Sequence, residues 1–130
     1  DGALALRQYV KVREMSEAAG FDYFGEFIVG WRDMHHIFMP AFRRDRPQEK
    51  ERLLALIDQL IDDATADGFG VYRTHLDFMD KVAASYSWND GALGRFNARL
   101  KAAIDPSGIL APGKSGIWPA QFCEGDAQCA

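Results

Sequence analysis

The sequence predicts an α+β fold: helix, strand, strand, helix, short strand, then two helices and a coil. Three observations predict it. Segments with apolar residues at helical spacing flank two short runs rich in aromatic and β-branched residues. Those runs, FDYFGEFIV and MHHIFMPAF, are joined by the turn-forming tetrad Gly30-Trp31-Arg32-Asp33, so they pair as an antiparallel hairpin. Past residue 104 the density of Gly and Pro is too high for regular structure. The chain has 130 residues, of which 48% are hydrophobic and 26% charged. Those values suit one globular domain with a core of its own and argue against wholesale disorder.

The elements follow in order. Residues 3–18 place Leu6, Tyr9, Val10 and Met15 on roughly one helical face, and Gly20 suits the C-terminus. Residues 21–29 form the first strand and residues 34–42 the second. Pro40 falls near the end of the second, because proline cannot donate to a ladder. The second helix follows Asp45 and Pro47, with the proline in its first turn. Leu53, Ile57, Leu60, Ile61 and Ala64 make its apolar stripe, and Gly68 closes it. Residues 69–72 read as a short strand. Thr74, with Asp77 after it, reads as the N-cap of a helix that buries Leu76, Met79, Val82 and Ala83. The last helix begins near Asn89 or Asp90, buries Leu93, Phe96, Leu100 and Ile104, and stops at Asp105-Pro106.

The first five elements match a split βαβ, ferredoxin-like layout without its first strand. An unpartnered sheet edge is a liability. Together with the absence of an initiator Met, this points to an N-terminus cut from a longer chain, and Asp-Gly-Ala-Leu has no signal-peptide pattern.

Composition excludes several functions. A net charge of −4 argues against nucleic acid as partner. No apolar run approaches the ~20 residues of a membrane span. Cys123 and Cys129 lie in the final stretch, where they could close a small loop but read better as incidental thiols of a solvated tail. That tail offers too few ligands for a metal site. The compartment stays open between cytoplasm and periplasm.

Four features could carry chemistry. Glu26 lies inside an otherwise apolar strand, where a carboxylate is either solvated on the outer face or costly and functional. His35 and His36 point to opposite faces of a strand, so they cannot share one metal; one is expected buried and hydrogen-bonded, the other outward. Tyr72-Arg73 precedes a helix, which makes it either an anion site or a packed Tyr beside a solvated Arg. The run DPSGILAPGKSGIWP has the glycines that let a backbone approach a ligand closely.

That run, together with YRTHLDFMDKV, MHHI and SWNDGALGRFNARLKAAI, closely resembles a group of FAD-linked flavoproteins that oxidise 4-alkylphenols. These are the vanillyl-alcohol oxidase, p-cresol methylhydroxylase and eugenol oxidase/hydroxylase enzymes. The resemblance reaches to Pro119. It implies a partial ferredoxin-like cap domain in residues 1–72, a C-terminal segment in residues 73–119 that docks on an FAD-binding domain, and a flexible tail in residues 120–130. It further implies that the FAD-binding domain and the covalent flavin anchor lie upstream.

The resemblance also implies roles. Tyr72 and Arg73 would hold the phenolate oxygen of the substrate, and such donors are worth ~3 kcal/mol each. Arg73, Gly113 and Lys114 would face the flavin. Glu26 and His35 would lie near the benzylic carbon, where a base activates water against a quinone methide. Ile37 would line the pocket and shares strand parity with His35. The implied partners are a 4-alkylphenol, the missing domain, a second copy of the chain, and a cytochrome c subunit in some members. Two other readings stand beside it. One is an FAD-linked 2-hydroxy-acid dehydrogenase, which needs basic residues for a carboxylate; the other is a ferredoxin-like binding module without chemistry. Two structural expectations follow. Glu26, His35 and Ile37 share one face of the hairpin. Residues 107–119 pack poorly, leaving Ile109, Leu110, Ile117 and Trp118 exposed.

Overall fold

A computed structural model describes residues 1–123. The architecture is α+β, with four α-helices and a two-stranded antiparallel sheet among the described residues. The chain divides into two compact units, Asp1–Asp63 and Ala64–Ala130.

The first unit opens with α1 (Gly2–Ala18), whose Asp1 carboxylate accepts from Ala3 N at 2.9 Å. Gly20, at φ +81°, ends α1 in the left-handed conformation. Gly20 N donates to Glu17 O and Phe21 N to Ser16 O, so the last orphan carbonyls are satisfied. The chain then forms β1 (Gly25–Val29) and β2 (Met34–Phe38), joined through Gly30 N donating to Asp33 O at 2.9 Å. Both strands are shorter than their apolar runs. Pro40 lies past the end of β2, as its missing N–H requires. Next comes α2 (Pro47–Ala66), whose entry is tied by Arg43 N donating to Glu49 Oε2. Leu53 and Leu56 of α2 bury with Phe21, and Met15, Phe38, Ile57 and Leu60 pack around them. Each of the three buried side chains, Phe21, Leu53 and Leu56, contributes about 2 kcal/mol by leaving water.

The second unit contains no strand among its described residues. Residues 69–72 do not form the expected strand, because the sheet holds only β1 and β2 and an isolated extended segment has no ladder to join. The cap after it is His75, not Thr74. His75 Nδ1 accepts from Asp77 N at 3.3 Å and starts a 3₁₀ turn, Leu76–Phe78, which leads into α3 (Met79–Ser85). That turn rotates Phe78 into the core with Met79 and Val82 and leaves Leu76 exposed.

Helix α4 (Trp88–Ile104) begins with a left-handed turn: Asn89, Asp90 and Gly91 have φ of 49°, 56° and 71°. Asn, Asp and Gly are the residues that tolerate this region best. Leu93, Phe96, Leu100 and Ile104 are exposed, contrary to the burial their spacing suggests. The spacing is helical, but no described segment covers that stripe.

The segment past α4 is only partly as expected. Ile109 and Leu110 are exposed, whereas Ile117 and Trp118 are half-buried and Pro119 is buried. The 3₁₀ turn Lys114–Gly116 packs on α3. Ser115 N donates to Met79 Sδ at 3.3 Å, and Trp118 Nε1 donates to Asp80 Oδ1 at 2.7 Å. Gly116, at φ +72°, lies directly against Ala83 Cβ, where no larger residue fits. Cys123 is in a disulfide, which corrects the reading of incidental thiols. Cys129 and most of the tail lie outside the described residues.

Candidate active site

The first unit contributes the hairpin. Its register pairs Glu26 with Ile37 and Ile28 with His35. Residues directly opposite in an antiparallel pair share a face, as do residues two apart. Glu26, Ile28, His35 and Ile37 therefore form one face, as expected from strand parity. Phe27, His36 and Phe38 form the other, and Phe38 belongs to the core cluster.

The two histidines are separated as their parity requires. His36 stacks on Phe27 with centroids 4.5 Å apart, and its Nε2 lies 2.7 Å from the Tyr23 hydroxyl. Burial pushes the His36 pKa below its usual value and the Tyr23 pKa above its own. His35, on the Glu26 face, has Nε2 3.0 Å from Asp33 Oδ2. An imidazole N–H donating to that carboxylate is held in one orientation. Asp33 was missed as more than a turn residue. Its place two residues before His35, on the same strand parity, is the signal that could have found it. The Glu26 side chain is exposed, with no hydrogen bond or ion pair of its carboxylate among the described residues.

The second unit contains a cavity of about 390 Å³, whose lining includes Tyr72, Arg73, Asn97, Lys114 and Trp118. The Arg73 guanidinium lies over the Tyr72 ring at 5.3 Å from its centroid. Behind them, the Tyr86 hydroxyl donates to Val71 O at 3.0 Å and pins the segment. Lys114 reaches the same cavity from the 3₁₀ turn that packs on α3. Among the described residues no carboxylate lines the cavity, which two cations face; the Asp80 carboxylate is engaged by Trp118 Nε1. The helix N-terminus suggested by the sequence is displaced, since the 3₁₀ turn starts at Leu76 and α3 only at Met79. Positive charge in the cavity comes from Arg73 and Lys114.

Gly113 is not on the cavity wall, and its N–H donates to Ile117 O at 3.0 Å. Its contribution is the left-handed φ of +78° that lets the turn close beside the Trp118 ring. Asn97 was missed, because one polar residue in a helix with a regular apolar stripe carries no signal of its own. In sum, Glu26, His35 and Ile37 come together in the first unit, and Tyr72, Arg73 and Lys114 in the second.

Residues 5–115 match the family described as FAD linked oxidases, C-terminal domain. The chain is 38% identical over 117 residues to the 4-cresol dehydrogenase [hydroxylating] flavoprotein subunit of Pseudomonas putida, covering 89% of this chain and 22% of that protein. The solved 4-ethylphenol oxidase from Gulosibacter chungangensis, in an isoeugenol complex, superposes with a TM-score of 0.91 at 40% identity. That match covers 95% of this chain and 24% of the other. p-Cresol methylhydroxylase with substrate bound gives 0.80 at 38% identity, covering 86% of this chain and 21% of its own. The chain thus spans about a fifth of its curated relative. With the family matched from the first helix through Lys114 to Ser115, the chain belongs to the FAD-linked oxidases, as a C-terminal domain.

Proposed function

We propose that this chain forms part of an FAD-dependent enzyme that oxidises 4-alkylphenols at the benzylic carbon. The observation that carries it is the cavity shared by Tyr72, Arg73 and Lys114, cationic and with no carboxylate among its described lining residues. Such a cavity favours a phenol in its ionised form, because opposite charge nearby stabilises the anion. Similarity supports the substrate class, since the relatives are named for cresol and ethylphenol.

The same cations fit a flavin edge that gains negative charge on reduction, and Arg73 and Lys114 would face it. Bound FAD supplies the acceptor for a hydride from the benzylic carbon. Tyr72 and Arg73 donate to the phenolate oxygen and stabilise the electron-rich ring that releases that hydride. The substrate is left as a quinone methide. Water adds at its benzylic carbon, and Glu26 or His35 takes the proton that the water loses. Asp33 holds the His35 ring while it does so. Ile37, on the same hairpin face, supplies apolar wall. By similarity to a relative named as a flavoprotein subunit, we extend the proposal to an electron-accepting partner subunit of the cytochrome c kind.

The paired cations also favour a second reading, in which Arg73 and Lys114 grip the carboxylate of a 2-hydroxy acid. Rapid mixing of the intact flavoprotein with either substrate separates the two. In the phenol reading, Arg73→Ala slows flavin reduction by a 4-alkylphenol about 10² to 10³-fold. It weakens binding of the neutral phenol less, because the charge it meets grows toward the transition state. Reduction at the wild-type rate, or reduction only by 2-hydroxy acids, would overturn the assignment.

A further inference from the structure

We propose that the buried Lys101–Asp105 pair is a positioning device for Lys114, acting through the loop between them. It rests on the reading that Lys114 serves the phenol cavity. Lys101 is 9% exposed and Asp105 5%, and Lys101 Nζ lies 2.6 Å from Asp105 Oδ2. The pair reaches past itself. Asp105 Oδ1 accepts from Ile109 N at 3.0 Å, and Oδ2 accepts from Leu110 N at 3.0 Å. Lys101 Nζ donates to Leu110 O. Both N–H groups at residues 109–110 and the Leu110 carbonyl are thus held by Lys101 in the last turn of α4 and Asp105 just past its end.

One residue earlier the loop is also tied down, since Gly108 N donates to Asp105 O at 3.0 Å and Gly108 lies against Pro119 and Gln121, but the Asp105–Lys101 pair is what grips residues 109 and 110 themselves. The Ile109 and Leu110 side chains are 77% and 58% exposed, so burial of their apolar groups does not fix it. The Lys114 turn begins at the next residue. Ala111 takes φ 42°, Ala111 O accepts from Lys114 N at 3.2 Å, and Gly113 O accepts from Gly116 N at 3.1 Å. A displaced Leu110 carbonyl therefore moves the start of the turn that presents Lys114. Hydrogen bonds from Lys101, Leu110 and Ile109 hold the Asp105 carboxyl below the usual carboxylate range, against the effect of burial. Stability alone is a poor reason for such a pair, since an apolar replacement of a buried ion pair is often neutral or better. Placement of a loop needs the directional contacts that an apolar pair cannot make.

The test is a double-mutant cycle in the intact flavoprotein. Lys101→Met, Lys114→Met and the double variant are titrated with unsubstituted phenol, which has no benzylic hydrogen, and its Kd is read from the flavin spectrum. Thermal midpoints are recorded alongside. Each single change should raise Kd about tenfold. The double change should raise it no further than Lys114→Met alone, because Lys101 acts through Lys114. Lys101→Arg, which keeps the charge, should recover part of the loss; it also serves in the cycle should Lys101→Met not fold. Multiplying losses, or a Lys101 variant that shifts only the thermal midpoint, would overturn the positioning role while Lys114 keeps its own. An unchanged Kd in Lys114→Met would remove Lys114 from the site, and the positioning proposal with it.

Discussion

Tyr72 and Arg73 adjoin in sequence and stack in space, yet their removal costs different things. Tyr72→Phe deletes one neutral hydrogen bond and should slow flavin reduction about tenfold or less. Arg73→Lys keeps the charge but loses the planar fork, so it should rescue Arg73→Ala poorly. Stopped-flow reduction rates for the three variants check the order. His36 makes a different prediction. Its pKa is lowered by burial from 6.5, so the neutral ring is the stable form. The stabilisation is fully present above the unfolded-state value and is lost as pH falls through the lowered one. Thermal melts at pH 7 and pH 5 should show a steeper loss for the wild type than for His36→Gln; equal slopes would contradict it. Residues of this kind were legible from parity alone, which separated His35 from His36. Asp33 and Asn97 were not. Their roles depend on what folds beside them, and only the three-dimensional neighbours supply that.

At the scale of elements, the hairpin register and α2 followed from local chemistry. Gly30-Trp31-Arg32-Asp33 sets the turn, and alternation sets the faces. The short strand at residues 69–72 failed because a strand is a pairwise object and no partner is described. The burial of Leu93, Phe96, Leu100 and Ile104 failed for a similar reason, since periodicity gives a face but not its cover. The turn Lys114–Gly116 was legible only as a ligand-facing run, not as a turn packed on α3. Its dependence on Gly116 is testable. Gly116→Ala would drive a Cβ against Ala83, 3.3 Å from Met79 O, at φ +72°. It should cost about 1–3 kcal/mol and loosen phenol binding. Gly2→Ala, with nothing within 4 Å, is the matched control and should change the thermal midpoint little. Equal melts for the two variants would contradict the packing.

At the scale of the whole molecule, the described residues leave an apolar surface exposed. The α4 stripe, with Ile109 and Leu110, presents six large apolar side chains to solvent, more than scattered surface residues account for. Expressed by itself, this chain should bind a dye for exposed apolar surface, and Phe96→Glu should lower that binding. A signal unchanged by the substitution would place the exposed surface elsewhere. No described helix is long and apolar enough to cross a membrane. In the proposed reaction the intact flavoprotein takes a hydride from the benzylic carbon of a 4-alkylphenol. Anaerobic mixing with 4-ethylphenol, ordinary and deuterated at the benzylic carbon, tests it most directly. The flavin absorption should bleach with both, and more slowly with the deuterated phenol, because the benzylic hydride is what leaves. No bleaching, or equal rates where chemistry limits the reduction, would contradict benzylic oxidation by this protein.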